Sequence, residues 1–219
     1  MHIDQEETKA LRDITEIYRI VKELSVLSES LDQSLFLPAI NEIRDAFDHL
    51  MRVFAYKFNM VDNRTEDYVN LNLVRSKSHL LRAAYDQIDY INIIILKDIE
   101  DTLAPFSFET ISAVFPEYYR EIKPNISANY EEITRINAEK RVGINADKLS
   151  QHMEYVTKLE GFRNEVYKVL PALLEFEKTN NAITKHDKIT FYAKYFYIAA
   201  ACAVILAAGV FIIQTLFGR

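Results

Sequence analysis

One segment near the carboxyl end constrains this chain more than any other. Residues 195–217 read YFYIAAACAVILAAGVFIIQTLF, a run of 23 residues without Asp, Glu, Lys or Arg. Because an α-helix rises 1.5 Å per residue, a run of this length matches the ~30 Å hydrocarbon core of a bilayer. We therefore expect a single transmembrane helix at residues 195–217, with the lipid bilayer as its partner and the rest of the chain on its amino-terminal side.

The residues around this segment predict its orientation. Three lysines lie between residues 185 and 194, whereas one arginine follows the segment. Lysine and arginine are enriched on the cytoplasmic side of membrane helices, and aromatic residues such as those at 191–197 favour the headgroup layer. We expect residues 181–194 to form a basic and aromatic juxtamembrane segment. The amino-terminal body is then cytoplasmic, and the carboxyl terminus lies just across the bilayer.

The segment also carries small residues on one face. Ala199, Ala203 and Ala207 recur every four residues, and small residues at this spacing let two membrane helices approach closely. This pattern favours self-association as a dimer or higher oligomer, although alanine is also common in membrane helices in general.

The composition of the body, residues 1–180, predicts an all-α fold. The whole chain has only 4 Gly and 5 Pro, too few for the many turns of a β-rich domain. Hydrophobic residues at helical spacing predict a bundle of about five cytosolic helices followed by the membrane helix. We expect a turn at residues 61–65, a helix end at Gly143, a kink or restart at Pro171 and a hinge at residues 179–181.

Two of the predicted helices carry specific expectations. Six large apolar residues in the second helix recur at three- and four-residue steps and are expected to face the core: Ile40, Ile43, Phe47, Leu50, Phe54 and Phe58. In the third helix, about 66–103, the spacing of the apolar residues places Asn92 on the seam, the helix face that packs against neighbouring helices.

Charge and cysteine content exclude several classes of function. A net charge of −6 argues against DNA binding and against a broad nucleic-acid surface, although a local cleft for RNA stays open. The single cysteine lies within the apolar segment and the five histidines are scattered, so neither a thiolate nor a metal site is predicted. No nucleotide-binding motif is present, and we expect no cofactor.

The second helix contains the most informative motif, NEIRDAFDHLMR at residues 41–52, in which Arg44 and His49 are separated by four residues. This arrangement resembles the R-x4–6-H motif of HEPN domains, helical bundles that are often ribonucleases and often dimers. The resemblance implies that Arg44 neutralises a scissile phosphate and that His49 performs acid–base chemistry, in a cleft shared by two protomers and without a metal. Some HEPN-like proteins of bacterial antiviral systems are attached to membranes.

The same residues have a purely structural interpretation. Arg44 and His49 lie about 140° apart around an ideal helix, on opposite sides of the apolar stripe. Arg44, Asp48 and Arg52 recur every four residues and can form ion pairs along the helix surface.

The third helix carries a second cluster, Arg75, His79 and Arg82, which spacings of four and three place on one face together with Asp86. If the second and third helices are antiparallel neighbours, this face can join Arg44 or His49 in a composite phosphate-binding cleft. The alternative is an exposed helix face with pairing between Arg82 and Asp86.

Two functions therefore remain open from the sequence. The first is a membrane-tethered, oligomeric, HEPN-like effector of bacterial antiviral defence that acts by RNA cleavage or by perturbing the membrane. The second is a non-enzymatic, tail-anchored helical adaptor that recruits protein partners. The residues do not decide whether the protein is an enzyme.

Overall fold

The predicted all-α fold is confirmed for the part of the chain that the structure describes. The computed structural model describes residues 2–61, 65, 67–140 and 148–217, and it describes no side chains at 129, 132, 133, 135–140, 182–188, 191, 192 and 195–217. Its elements are six α-helices and one π-helical turn: α1 (Gln5–Asp32), α2 (Leu37–Lys57), α3 (Tyr68–Leu103), α4 (Phe108–Val114), the π turn (Tyr118–Ile122), α5 (Lys123–Lys140) and α6 (Leu149–Phe217).

Helix α3 is central, because α1 and α2 both pack against it. It is buried on several sides, and Ile88, Ile91, Ile95 and Ile99 are at most 1% exposed. Helix α1 contributes a stripe at three- and four-residue steps that includes Ile14, Ile17, Val21 and Leu24. Burial of these side chains supplies the main driving force for packing the three helices.

The buried face of α2 differs from the predicted one. Its buried residues are Ala39, Ala46 and Val53, which recur every seven residues. Phe47 and Phe58 are each 59% exposed, so the prediction that they face the core is wrong. The physical reason is close packing: α2 packs against α3, and its most buried positions hold small side chains, which let two helices approach closely.

The ends of α1 and α2 are fixed by polar contacts. Asp4 and Glu7 form a reciprocal capping box, in which each side chain accepts a hydrogen bond from the other residue's backbone N–H. The Lys57 ammonium at the end of α2 lies 2.5 Å from Glu7 Oε1 and also donates to the carbonyl of His2. Both side chains of this ion pair are more than four-fifths buried, so it joins the start of α1 to the end of α2.

Tyr90 of α3 holds the connection between α1 and α2. Its ring stacks on Phe36 with 4.3 Å between centroids, and its hydroxyl donates a hydrogen bond to the Asp32 carboxylate. Ser34 donates to the same carboxylate. These hydrogen bonds, that from Ser34 first, lower the pKa of Asp32 because they stabilise its ionised form.

The chain divides into two compact units. The first comprises Met1–Pro105 and Pro116–Lys168, and the second comprises Phe106–Phe115 and Val169–Arg219. In the first unit, Asp98 of α3 accepts hydrogen bonds from Arg163 and Tyr167 of α6. Burial lowers the pKa of Arg163, but the hydrogen bond and charge of Asp98 outweigh burial and raise it overall.

The second unit contains α4, whose first turn is capped by Ser107. The Ser107 hydroxyl accepts a hydrogen bond from the backbone N–H of Thr110 at 3.1 Å, as expected for a serine before a helix. The Thr110 hydroxyl donates to Glu177 of α6, and Thr110 is fully buried. Glu177 also accepts a hydrogen bond from Asn181.

Helix α6 is longer than the sequence predicted. It continues through Pro171 without a restart and through residues 179–181, so the predicted hinge is wrong. Side-chain hydrogen bonds accommodate the polar residues there, since the Thr179 hydroxyl donates to the Glu175 carbonyl one turn earlier. Within the described residues, no helix is both long enough and apolar enough to cross a membrane.

Several predictions fall where the structure is not described. The predicted turn at 61–65 lies largely outside the described residues, and so does the helix end at Gly143. The predicted transmembrane residues 195–217 belong to α6, but their side chains, including the small-residue face, lie outside the described part.

Candidate functional site

His49 of α2 lies at the interface with α3, where Asn72 holds its ring. The Nδ1 atom of His49 lies 2.9 Å from Asn72 Oδ1, while the Asn72 amide nitrogen donates to the carbonyl of Tyr68. An amide oxygen only accepts hydrogen bonds, so Nδ1 of His49 must carry the proton. In neutral His49 the other ring nitrogen, Nε2, is therefore the basic one.

His79 of α3 is held in the same way by Glu42 of α2. Its Nδ1 atom lies 2.7 Å from Glu42 Oε2, so Nδ1–H donates to the carboxylate and Nε2 is again the remaining ring nitrogen. The two rings stack with 5.4 Å between their centroids and 18° between their planes. His49 and His79 are thus neighbours with the same tautomer.

Antiparallel packing of α2 and α3 explains why these four residues meet. Glu42 and His49 are seven residues apart on α2, and Asn72 and His79 are seven residues apart on α3. Seven residues are close to two helical turns, so each pair lies on one face of its helix. Because the two helices are antiparallel, Glu42 lies opposite His79 and His49 lies opposite Asn72.

The four side chains form a polar site at the edge of the core. The His79 and Glu42 side chains are 19% and 25% exposed, so the site is partly shielded yet reachable from solvent. Among the described residues, no group of three or more His, Cys, Asp and Glu side chains could hold a metal ion. The arrangement suits proton transfer by two imidazoles. Each ring is fixed by a hydrogen bond at Nδ1, which leaves Nε2 as the nitrogen that can exchange a proton.

Arg44 is directed to a different surface. Its guanidinium hydrogen bonds to the neighbouring Asp45 carboxylate at 3.0 Å, and its side chain is 70% exposed. It lines an apolar groove of about 580 Å³ between α1 and α2, together with residues such as Tyr18 and Phe47. Within one copy of the chain, the structure therefore brings His49 to His79 and does not bring Arg44 to His49.

The other predicted site residues have simpler surroundings. Arg75 and Arg82 are exposed on α3, one turn before and one turn after His79. Of the ion pairs predicted along α2, Asp48 pairs with Arg52 at 2.6 Å, whereas Arg44 prefers Asp45.

No protein-family model, curated protein or solved structure matches this chain. The HEPN resemblance therefore depends on the motif at residues 41–52.

Sequence reasoning missed two residues of this site, Glu42 and Asn72. Both are polar residues one heptad away from a histidine, and the matching spacing on consecutive helices was the signal that could have found them. His152, unlike His49 and His79, is buried and makes a core contact. It packs edge-to-face on Tyr85 with 4.8 Å between centroids, and burial raises the pKa of the Tyr85 hydroxyl.

Proposed function

We propose that this protein is a membrane-tethered, HEPN-like effector of bacterial antiviral defence that cleaves RNA without a metal. The observation that carries the proposal is the position of His49. The motif histidine lies in a partly exposed polar site, and the hydrogen bond to Asn72 fixes its tautomer. A basic Nε2 held in one orientation is what a general base for the 2′-hydroxyl of RNA requires.

Arg44 has a different role in this proposal, which is to pair two copies of the chain. It borders an exposed apolar face of α2 formed by Ile40, Phe47, Met51 and Phe58. A second copy of the chain is the occupant that this face fits, because Arg44 and Asp48 carry opposite charges along one edge of it. Two antiparallel copies of α2 can pair Arg44 of each with Asp48 of the other, and this geometry is the isologous contact of a twofold dimer.

The membrane tether of this proposal is the uncharged segment at residues 195–217. Anchoring by this segment keeps the helical body at the cytoplasmic surface and raises its local concentration, which favours association of copies.

The test uses the full chain in detergent and a single-stranded RNA oligonucleotide, with EDTA present throughout. We expect cleavage of RNA and no cleavage of the same sequence with 2′-O-methyl groups, since the 2′-hydroxyl is the nucleophile. His49→Gln should reduce the rate by about 10²–10⁴-fold, the usual contribution of a general acid or base. Cleavage that His49→Gln leaves unchanged would overturn the proposal.

A non-enzymatic adaptor is the second candidate, and the exposed apolar face of α2 favours it. Exposed apolar patches of this kind mark protein interaction sites. The two functions differ in a growth assay on overexpression. The effector predicts that His49→Gln abolishes growth arrest. The adaptor predicts that His49→Gln has no effect, that Phe47→Glu abolishes the phenotype, and that deleting residues 195–217 abolishes it as well.

A further inference from the structure

We infer that His79 is a second catalytic residue of this site, the general acid, and that Glu42 is its positioning residue. This inference rests on the proposed RNA cleavage and adds a proton donor to it. The sequence suggested only phosphate binding for His79, and Glu42 had no role. The geometry points to the new role because His79 lies against the proposed base rather than beside the motif arginine.

The two imidazoles differ in their partners although they share a tautomer. Glu42 places a carboxylate 2.7 Å from His79, which gives the protonated ring a counter-charge. Asn72 offers His49 a neutral amide oxygen. The two rings stack at 5.4 Å, so a proton given by one ring and a proton taken by the other leave the total charge of the pair unchanged. The proposed acid is the ring beside the Glu42 carboxylate.

The charged groups around the pair support this division of roles. Glu42 on α2 is an acidic group in contact with His79, while Arg75 and Arg82 lie one turn to either side of His79 on α3. Cations on this face of α3 can attract a phosphodiester. In the proposed reaction these arginines hold the phosphate of the RNA.

In the proposed reaction His49 takes up one proton and His79 gives up one. Nε2 of neutral His49 takes the proton of the 2′-hydroxyl while the 2′-oxygen forms a bond to phosphorus. The bond from phosphorus to the 5′-oxygen breaks, and Nε2–H of protonated His79 gives its proton to that oxygen. The products are a 2′,3′-cyclic phosphate and a 5′-hydroxyl, and neither water nor a metal takes part.

A modified RNA substrate shows whether His79 acts as a general acid or has only a structural role. When sulfur replaces the bridging 5′-oxygen of RNA, the leaving thiolate needs no proton, so a general acid becomes dispensable. We expect His79→Gln to lower cleavage of ordinary RNA by about 10²–10⁴-fold and to cleave the sulfur-bridged RNA at close to the wild-type rate. His49→Gln should be slow on both substrates.

Variants at Glu42 and His2 complete the design. Glu42→Gln should show a smaller loss on ordinary RNA than His79→Gln, with the same rescue by sulfur, because it keeps the hydrogen bond but loses the charge. His2→Gln changes a histidine outside the site and should behave as wild type.

The outcomes distinguish this inference from the proposed function. If His79→Gln is equally slow on both substrates while wild type and His49→Gln behave as expected, His79 is not the acid and RNA cleavage by His49 stands. If the wild type cleaves neither substrate, the proposed function and this inference are both overturned.

Discussion

Asn72 of α3 accepts a hydrogen bond from Nδ1 of His49 on α2, with 2.9 Å between the two atoms. Asn72 is 2% exposed, and its own amide nitrogen donates to Tyr68, so its orientation is fixed from both ends. The tautomer of His49 thus depends on one buried amide rather than on solvent.

Replacing this amide should disturb the histidine more than the fold. Asn72→Ala removes the acceptor for His49 Nδ1, and we expect a loss of about 1–3 kcal/mol in the free energy of unfolding because a buried hydrogen bond is broken. Nitrogen NMR of the imidazole should show His49 changing from one tautomer to a mixture. Asn72→Asp keeps an acceptor at the same position, and retention of the single tautomer in that variant is the control.

The connection between α1 and α2 should respond to acid through Asp32. Its pKa is lowered by hydrogen bonds from Ser34 and Tyr90, so ionised Asp32 stabilises the fold above its unfolded pKa of about 3.9. This contribution is lost as pH falls through the lower folded pKa. Ser34→Ala and Tyr90→Phe should each raise the pKa of Asp32 toward its usual value, Ser34→Ala by more.

Carbon NMR of the Asp32 carboxyl across pH 2–6 measures both shifts, the range being about two units either side of the ordinary pKa. Tyr90→Phe keeps the ring that stacks on Phe36, so the shift isolates the hydroxyl. Identical titration curves for wild type and both variants would contradict the assignment.

The apolar face of α2 should mediate self-association. Phe47 and Met51 are exposed, so Phe47→Glu with Met51→Glu should change the free energy of unfolding by about 0.5 kcal/mol or less, as for other surface substitutions. The same double variant should convert an oligomer into a monomer in light scattering of the detergent-solubilised chain. Val74→Glu is the matched control, because Val74 is 54% exposed on α3. The oligomer should survive Val74→Glu. An oligomer that also survives the double variant at Phe47 and Met51 would exclude this face.

Asn92 should be a position where a substitution stabilises the protein. It is 3% exposed on α3, and in the described part of the chain neither its amide nitrogen nor its amide oxygen has a hydrogen-bond partner. Asn92→Leu replaces a desolvated amide by an apolar group of similar branching, so we expect a gain of about 1–3 kcal/mol. Urea denaturation measures the gain. Leu81→Asn, the reverse change at a buried position of the same helix, should destabilise.

Most of the helical architecture was predictable because it depends on local pattern. The bounds of α1 and α3 follow from apolar spacing, and Pro38 marks the start of α2 as expected for the first turn of a helix. The buried seam position of Asn92 was also correctly predicted. The end of the chain was less predictable, since α6 continues where Thr179 and neighbouring polar residues suggested a hinge.

The face of α2 and the site were not predictable from hydrophobicity alone. Large apolar residues at helical spacing predicted a core face around Phe47. In the structure Phe47 is exposed, and Ala39 and Ala46 are buried instead. The site depends on the register of two antiparallel helices, which a single helix pattern does not contain. Arg44 and His49 lie on opposite sides of α2, as the helical spacing indicated, and His79 proved to be the neighbour of His49.

Because the buried positions of α2 are Ala39, Ala46 and Val53, its outer face contributes little to the core. Polar replacements at Ile40 or Phe58 would leave the interior intact, so purifying selection for a stable monomer alone would let these positions drift. Wherever orthologues of this chain keep large hydrocarbon side chains there, the pressure that keeps them has to come from whatever touches that face.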